Sequence, residues 1–290
     1  MILEAVWDAV LDSLKILPFL FLTYLLMEYL ESRTQGRAKA AVRKAGWLGP
    51  LWGGAMGMIP QCGFSAAASN LYAGRAISLG TLLAIFLATS DEMIPIMISE
   101  SVPFLSMMQI VMVKAGIGII FGFITDAVCH ITKNRNTGQP EDEGELKIER
   151  LCEKEHCHCE EGSIIRSALH HTIHIILFIL AITVMLNLTF SFVGEDRLTL
   201  AMGRMPVGGI FLAALIGLIP NCGASVLLTQ MYLHGVMGAS QLIAGLLVGA
   251  GVGLLVLYRV NPDHKENLLI TAILYGFGVL GGLLVRLVLN

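Results

Sequence analysis

Charge is scarce in this 290-residue sequence: Asp, Glu, Lys and Arg make up 14% of it, against about 25% in an ordinary soluble chain. The deficit is concentrated in long runs with few charged side chains: Val10–Leu30, Trp47–Ala73, Ile77–Ile98, Ser106–His130, Ile173–Phe192, Val207–Leu233, Leu242–Tyr258 and Leu268–Leu289. About 20 apolar residues in a helix cross the hydrocarbon core of a bilayer, so most of these runs read as membrane spans. A large soluble protein would need amphipathic helices to cover its core, and none is visible.

Three further absences narrow the function. Met1–Lys15 carries Glu4, Asp8 and Asp12 and lacks a short apolar stretch ending at a small-residue cleavage site, so the first span is expected to insert the protein and stay. No Gly-x4-Gly-Lys-Ser/Thr loop is present, which leaves a proton or ion gradient as the expected source of drive. The six cysteines do not form a disulfide framework: Cys62 and Cys222 lie inside apolar runs, Cys129 ends one, and three crowd a central loop.

What is present is a repeat. Ile59-Pro60-Gln61-Cys62-Gly63 returns 160 residues later as Ile219-Pro220-Asn221-Cys222-Gly223. The same shift pairs Ser65 with Ser225, Tyr72 with Tyr232, Gly118 with Gly278, Gly122 with Gly282 and Asp126 with Arg286. Such self-similarity marks duplication. It divides the chain into an N-terminal membrane repeat (1–131), a linker (132–165) and a C-terminal membrane repeat (166–290).

Two topologies compete for Trp47–Ala73 and its twin. Each is either one broken span or a pair of short helices meeting at the Pro-x-Cys-Gly corner. The arm Trp47–Ile59 is thirteen residues, about 20 Å of helix against a core of about 30 Å. Charge separates the two. With the amino terminus outside, paired helices place Arg33, Arg37, Lys39, Arg43, Lys44, Arg75, Lys133, Arg135, Lys147, Arg150, Lys154, Arg166, Arg259 and Lys265 inside, and leave Arg197, Arg204 and Arg286 outside. Single broken spans give nearly equal counts. Positive-inside bias favours paired helices, and the odd number of full crossings per half then inverts the second half. The expected fold is therefore an all-α polytopic membrane protein of two inverted-topology repeats, ten helices in all. Each repeat has three full spans and one pair of short broken helices. Both termini are expected outside and the central loop in the cytoplasm, in a bacterial or archaeal cytoplasmic membrane.

Three features carry chemistry. Proline and glycine at the two corners end a helix within the membrane and free backbone groups, which is tolerated there only in a protein interior or against a water-filled cavity. Cys62 and Cys222 occupy these corners with Gln61 and Asn221 beside them; thiolates suit soft ions or metalloids, and amide oxygens add harder ligands. The alternative is a packing corner with a small apolar Cys. Second, Asp91 and Glu92 are adjacent acids deep in a span, a costly placement that is functional by default. Their depth matches that of Lys114 on the next span, so an Asp91–Lys114 ion pair is expected, with Lys114 and Asp126 as candidate coupling or charge residues. The second half has Gly251, Val252 and Leu274 at the shifted positions. Third, the central loop packs Cys152, His156, Cys157, His158 and Cys159 within eight residues, and His170 and His174 follow on one helix face. A cytoplasmic metal-ligand cluster and a solvated acidic linker are the two readings. The methionines are read as packing residues.

Taken together, the paired Ile-Pro-x-Cys-Gly corners, Ala88-Thr89-Ser90-Asp91-Glu92-Met93-Ile94-Pro95 and the His/Cys-rich loop resemble a family of bacterial and archaeal ten-helix membrane proteins. That family is described as heavy-metal or arsenic efflux proteins, often labelled manganese transporters. The resemblance covers essentially the whole chain and implies the same residues as functional: Cys62, Cys222, Asp91 and Glu92. The expected activity is secondary export of a transition-metal cation or arsenite by alternating access, with the metal as substrate and no obligatory cofactor. The expected partners are the bilayer, the substrate and a coupling proton; an oligomer is open and no nucleic acid is expected. A carrier of a small organic or sulfur-containing anion, held by Lys114 and short-helix N-termini, is the alternative, and an intramembrane enzyme is the weaker one.

Overall fold

The computed structural model describes residues 48–59, 62–89, 93–136 and 207–289, with isolated helical positions at 7–25 and 169–184; the side chains of Cys62, Cys222 and residues 133–136 lie outside that description. The described residues form helices joined by short turns, without strands. In the first half they form α1 (Gly49–Gly57), α2 (Cys62–Ala73), α3 (Leu79–Ala88), α4 (Met93–Ser99) and α5 (Phe104–Asn136). In the second they form α6 (Gly208–Gly217), α7 (Cys222–Leu233), α8 (Ala239–Val248), α9 (Val252–Val260) and α10 (His264–Leu289). The bounds of α2 and α3 recur in α7 and α8 at the 160-residue shift seen in the corners.

The turns repeat as closely as the helices. Ala76 N–H donates to the Leu71 carbonyl and Val236 N–H to that of Met231, each 2.8 or 2.9 Å, closing the same helix-ending motif. That motif needs a left-handed residue, supplied by Gly235 (φ 72°) in one half and by Arg75 (φ 57°) in the other. A side chain in that conformation costs about 1 kcal/mol or more, so Arg75 is held there by its own contacts, described below.

Among the described residues four segments are long and apolar enough to cross a membrane: Leu79–Ser99, Phe104–Thr132, Ala239–Val260 and His264–Leu289. The first and third, built of α3–α4 and α8–α9, are 73% and 83% buried, whereas the unbroken second and fourth are 39% and 33% buried. The broken segments thus form the centre and the continuous ones its rim. Large apolar side chains such as Phe104, Leu105, Leu268 and Leu287 face outward. In water such a surface would aggregate; it suits lipid.

Helix directions follow from close approaches. Gly49 abuts Thr81, and Gly57 lies against Ile85 and Ala88, so α1 and α3 run side by side in the same direction. Gly118 packs on Ala84 and Leu87, and Gly122 on Gly80, so α5 returns antiparallel to α3. In the second half Gly217 packs on Gly245, and Gly278 and Gly282 pack on Val248 and Ala244, which repeats both relations.

The halves interlock through α2 and α9. In the second half of α2 the Ser69 hydroxyl donates to the carbonyl of Gly253, at the start of α9, at 2.6 Å. At their far ends the Arg75 guanidinium donates to both carboxylate oxygens of Glu266, at 3.1 and 3.2 Å. The Tyr72 hydroxyl donates to the same carboxylate, and Asn261 Nδ2 donates to it at 3.0 Å. Arg75 also lies over the Tyr72 ring, 5.5 Å from its centroid. Both helices therefore run to one end of the molecule, here called the Arg75 end. Since α1 and α3 also start there while α6 and α8 start at the opposite end, the short helices of the two halves enter from opposite ends. Along the middle, the Phe121 ring of α5 stacks on Phe277 of α10 with centroids 4.4 Å apart.

Candidate functional site

Each corner is built by helix ends that stop short of the far side. Helix α6 ends at Gly217, after which Ile219 N–H donates to Ile216 O (3.0 Å) and Asn221 N–H to Ile219 O (2.7 Å), turning the chain back. Asn221 is extended (φ −143°, ψ 144°) and caps α7, its Oδ1 accepting from Gly223 N–H at 3.3 Å. Such a cap contributes about 1 kcal/mol to the helix it starts. Asn221 is buried, and one role of its amide oxygen is therefore to hold the corner open. Cys222 is the first residue of α7 and Cys62 the first of α2, each at the positive end of a short helix.

The corner of the second half opens onto a cavity of about 10 Å³, lined by Gly217 of α6, by Asn221 with Ala224, Ser225 and Leu228 of α7, by Gly245 of α8, and by Gly249 and Gly251 from the break between α8 and α9. That is room for about one water molecule. Gly251, in the left-handed region (φ 53°), stands where the first half has Asp91. By the repeat, the acidic pair belongs to the first half's counterpart of this break.

Contacts between halves pair each corner helix with the other half's break. Helix α2, which starts at Cys62, packs along α9, which starts after Gly249–Gly251. Helix α7, which starts at Cys222, packs on α4, which starts after residues 90–92. This crossing joins elements far apart in sequence and was not among the sequence expectations. Gly253 is the one local signal: its small size admits Ser65, whose Cβ and backbone a methyl there would meet at 2.7–2.8 Å.

Lys114 is completely buried on α5. Its ammonium donates to the Thr89 carbonyl, which terminates α3. A helix C-terminus carries partial negative charge, so this hydrogen bond also sets a cation against a favourable dipole. Thr89 is two residues before Asp91, and Leu274, likewise fully buried, occupies the matching position in the second half. Asp126 sits at the other end of α3. Its carboxylate accepts from Ser78 Oγ (2.7 Å) and Gly80 N–H (2.8 Å), while Ser78 Oγ accepts from Thr81 N–H (3.1 Å). Asp126 thereby caps the amino end of α3, where an anion is stabilised by the helix dipole.

Gln61, Asp91, Glu92, the loop ligands Cys152, His156, Cys157, His158 and Cys159, and His170 and His174 lie outside the described residues, as do the thiols of Cys62 and Cys222. Among the described residues no three His, Cys, Asp or Glu side chains gather as metal ligands.

A family described as "Putative, 10TM heavy-metal exporter" matches residues 1–193. The chain belongs to this family. The matched stretch contains the first corner, the Asp91–Glu92 break, Lys114 and the Cys/His loop, and it ends before the second corner. No curated protein and no solved structure matches the chain. Family membership and the four apolar segments together make it a multi-pass membrane protein of a transporter family, which bears out the resemblance read from the motifs.

Proposed function

We propose that the protein is a secondary exporter moving a transition-metal ion or arsenite outward by alternating access between two inverted-topology repeats of five helices. The observation that carries this reading is the crossing at the centre, where the corner helix of each half packs on the helix that follows the other half's break. Broken helices meeting at a repeat interface are how secondary transporters place a substrate among freed backbone dipoles. The opposite entry of α1 and α6 supports inversion. The ion pair between Arg75 and Glu266 supports paired short helices, since single broken spans would put those two turns on opposite membrane faces. The positive-inside count then makes the Arg75 end cytoplasmic.

In this reading Cys62 and Cys222, with Gln61 and Asn221, bind substrate. Asp91 and Glu92 complete a cation site or carry the coupling proton, Lys114 sets their charge state, and Cys152, His156, Cys157, His158 and Cys159 collect metal at the entrance. Manganese prefers oxygen ligands and thiophilic substrates prefer sulfur, so paired variants separate the two. If arsenite or a soft metal is carried, Cys62→Ser/Cys222→Ser is expected to reduce vesicle flux at least tenfold. If manganese is carried, Asp91→Asn/Glu92→Gln is expected to do so. Wild-type flux in both variants would remove the central site.

The Tyr72–Arg75–Glu266–Asn261 cluster joins the halves at the cytoplasmic end and must separate for that end to open. Cross-linking Arg75→Cys to Glu266→Cys with a short bifunctional thiol reagent is expected to halt flux, and reductive cleavage of the link to restore it. Undiminished flux in fully cross-linked protein would mean that this end does not move.

A further inference from the structure

The two ends of this duplicated molecule differ in a way that the fold does not require. At the end opposite Arg75, Met93 and Met97 of α4, Met107 of α5, Met231 of α7 and Met237 of the following turn are buried in one cluster, with Met58 packed against it. Met93 and Met97 are completely buried, and their four-residue spacing sets them on one face of α4. Met93 is the first residue of that helix, immediately after the Asp91–Glu92 break. The thioethers therefore extend from the central break toward the end opposite Arg75.

The internal repeat supplies a control for packing. The shifted positions of Met93, Met97, Met107, Met231, Met237 and Met58 hold Gly253, Leu257, Asn267, Leu71, Ile77 and Leu218. None is methionine, although the same helices pack in the same order there. Methionine is a serviceable gap-filler, but leucine, isoleucine, glycine and asparagine meet the packing demands of the matching sites. What the six side chains share beyond size is a soft, uncharged sulfur donor. Thioethers favour monovalent d10 cations of the Cu(I) type over hard divalent ions, and a neutral donor set can hold a single positive charge without the carboxylates a divalent ion would call for.

We propose that this methionine cluster is a binding site for a soft monovalent cation, Cu(I) or Ag(I), between α4, α5 and α7. On the exporter reading it is the first station outward from the central break, but the binding itself does not depend on transport. Nor does it depend on Cys62, Cys222, Asp91 or Glu92, so either proposal can fail alone.

Selenium-edge X-ray absorption on the full chain, grown with selenomethionine and titrated with Ag(I), tests it directly. A silver neighbour at selenium is expected; its absence at saturating Ag(I) overturns the proposal, whatever the cysteines bind. A second measurement uses Met93→Leu/Met97→Leu/Met231→Leu, substitutions that keep side-chain volume and are well tolerated in cores. In a background with every cysteine changed to serine, the triple variant is expected to bind Ag(I) at least tenfold more weakly than its parent. Equal affinity would assign the silver elsewhere and sink the site. The selenium measurement needs no variant, so a poorly folding triple variant leaves the proposal testable.

Discussion

Lys114→Leu is expected to lower transport at least tenfold while leaving the protein folded, inserted and no less stable. The second half is the reason to expect a sound fold: Leu274 fills the symmetric position and is as fully buried as Lys114. A buried ammonium costs several kcal/mol unless its partners offset the lost hydration, and leucine removes that cost together with the hydrogen bond to the Thr89 carbonyl. Thermal unfolding in detergent should therefore show a midpoint equal to or above that of the parent. What leucine cannot replace is a positive charge beside the carboxyl end of α3, two residues from Asp91. If Lys114 balances the acidic pair, Asp91→Asn should add little to the transport defect of Lys114→Leu, because coupled sites are non-additive. Full flux from Lys114→Leu in proteoliposomes would reduce the lysine to a structural tether for the end of α3.

Much of the fold was legible because its signals are local and repeated. Ile-Pro-x-Cys-Gly recurs with its spacing to Tyr72 and Tyr232 intact, and hydropathy marks α5 and α10 without help from packing. The grouping of Arg75 with Arg259 and Lys265 on one side, expected from charge alone, agrees with the contact between Arg75 and Glu266 at one end. What was not legible depends on pairings remote in sequence. Ser69 and Gly253 are 184 residues apart, and neither small residue announces a partner. Lys114 was matched by depth with Asp91, which lies outside the described residues; that its ammonium also donates to the Thr89 carbonyl was not legible, because every residue has such a group. Asp126 was read as a coupling or charge residue; that its carboxylate caps the amino end of α3 was not legible. The cap joins Ser78 to a carboxylate from another helix 48 residues away, a pairing with no local signature. The methionines illustrate the same limit: Met93 and Met97 share a face of α4, but their gathering with Met107 and Met231 follows from the meeting of α4, α5 and α7.

The crossing of α2 and α9 yields the largest expected change in stability, through Gly253→Ala. A methyl at Gly253 would lie 2.7 Å from Ser65 Cβ and 2.8 Å from both the carbonyl carbon and the carbonyl oxygen of Ser65. Two of those atoms are backbone, so no rotamer change relieves the overlap and the helices must separate. Separation also stretches the 2.6 Å hydrogen bond from Ser69 to the Gly253 carbonyl, while the Arg75–Glu266 contacts pin the far ends. Overpacking costs about 1–3 kcal/mol, and a weakened buried hydrogen bond about 1 more, so a loss of about 3 kcal/mol is expected. Transport should fall with it, since the same crossing carries the Cys62 corner against the second half's break. Gly276→Ala is the matched control: nothing lies within 4 Å of a methyl there, and alanine favours a helix by up to about 1 kcal/mol. Adding Ser65→Gly to Gly253→Ala removes only the Cβ contact and should recover part of the lost stability, because the carbonyl remains in the way. Equal unfolding midpoints for Gly253→Ala and Gly276→Ala would mean that α2 and α9 do not touch, and the interlock of the two halves would go with them.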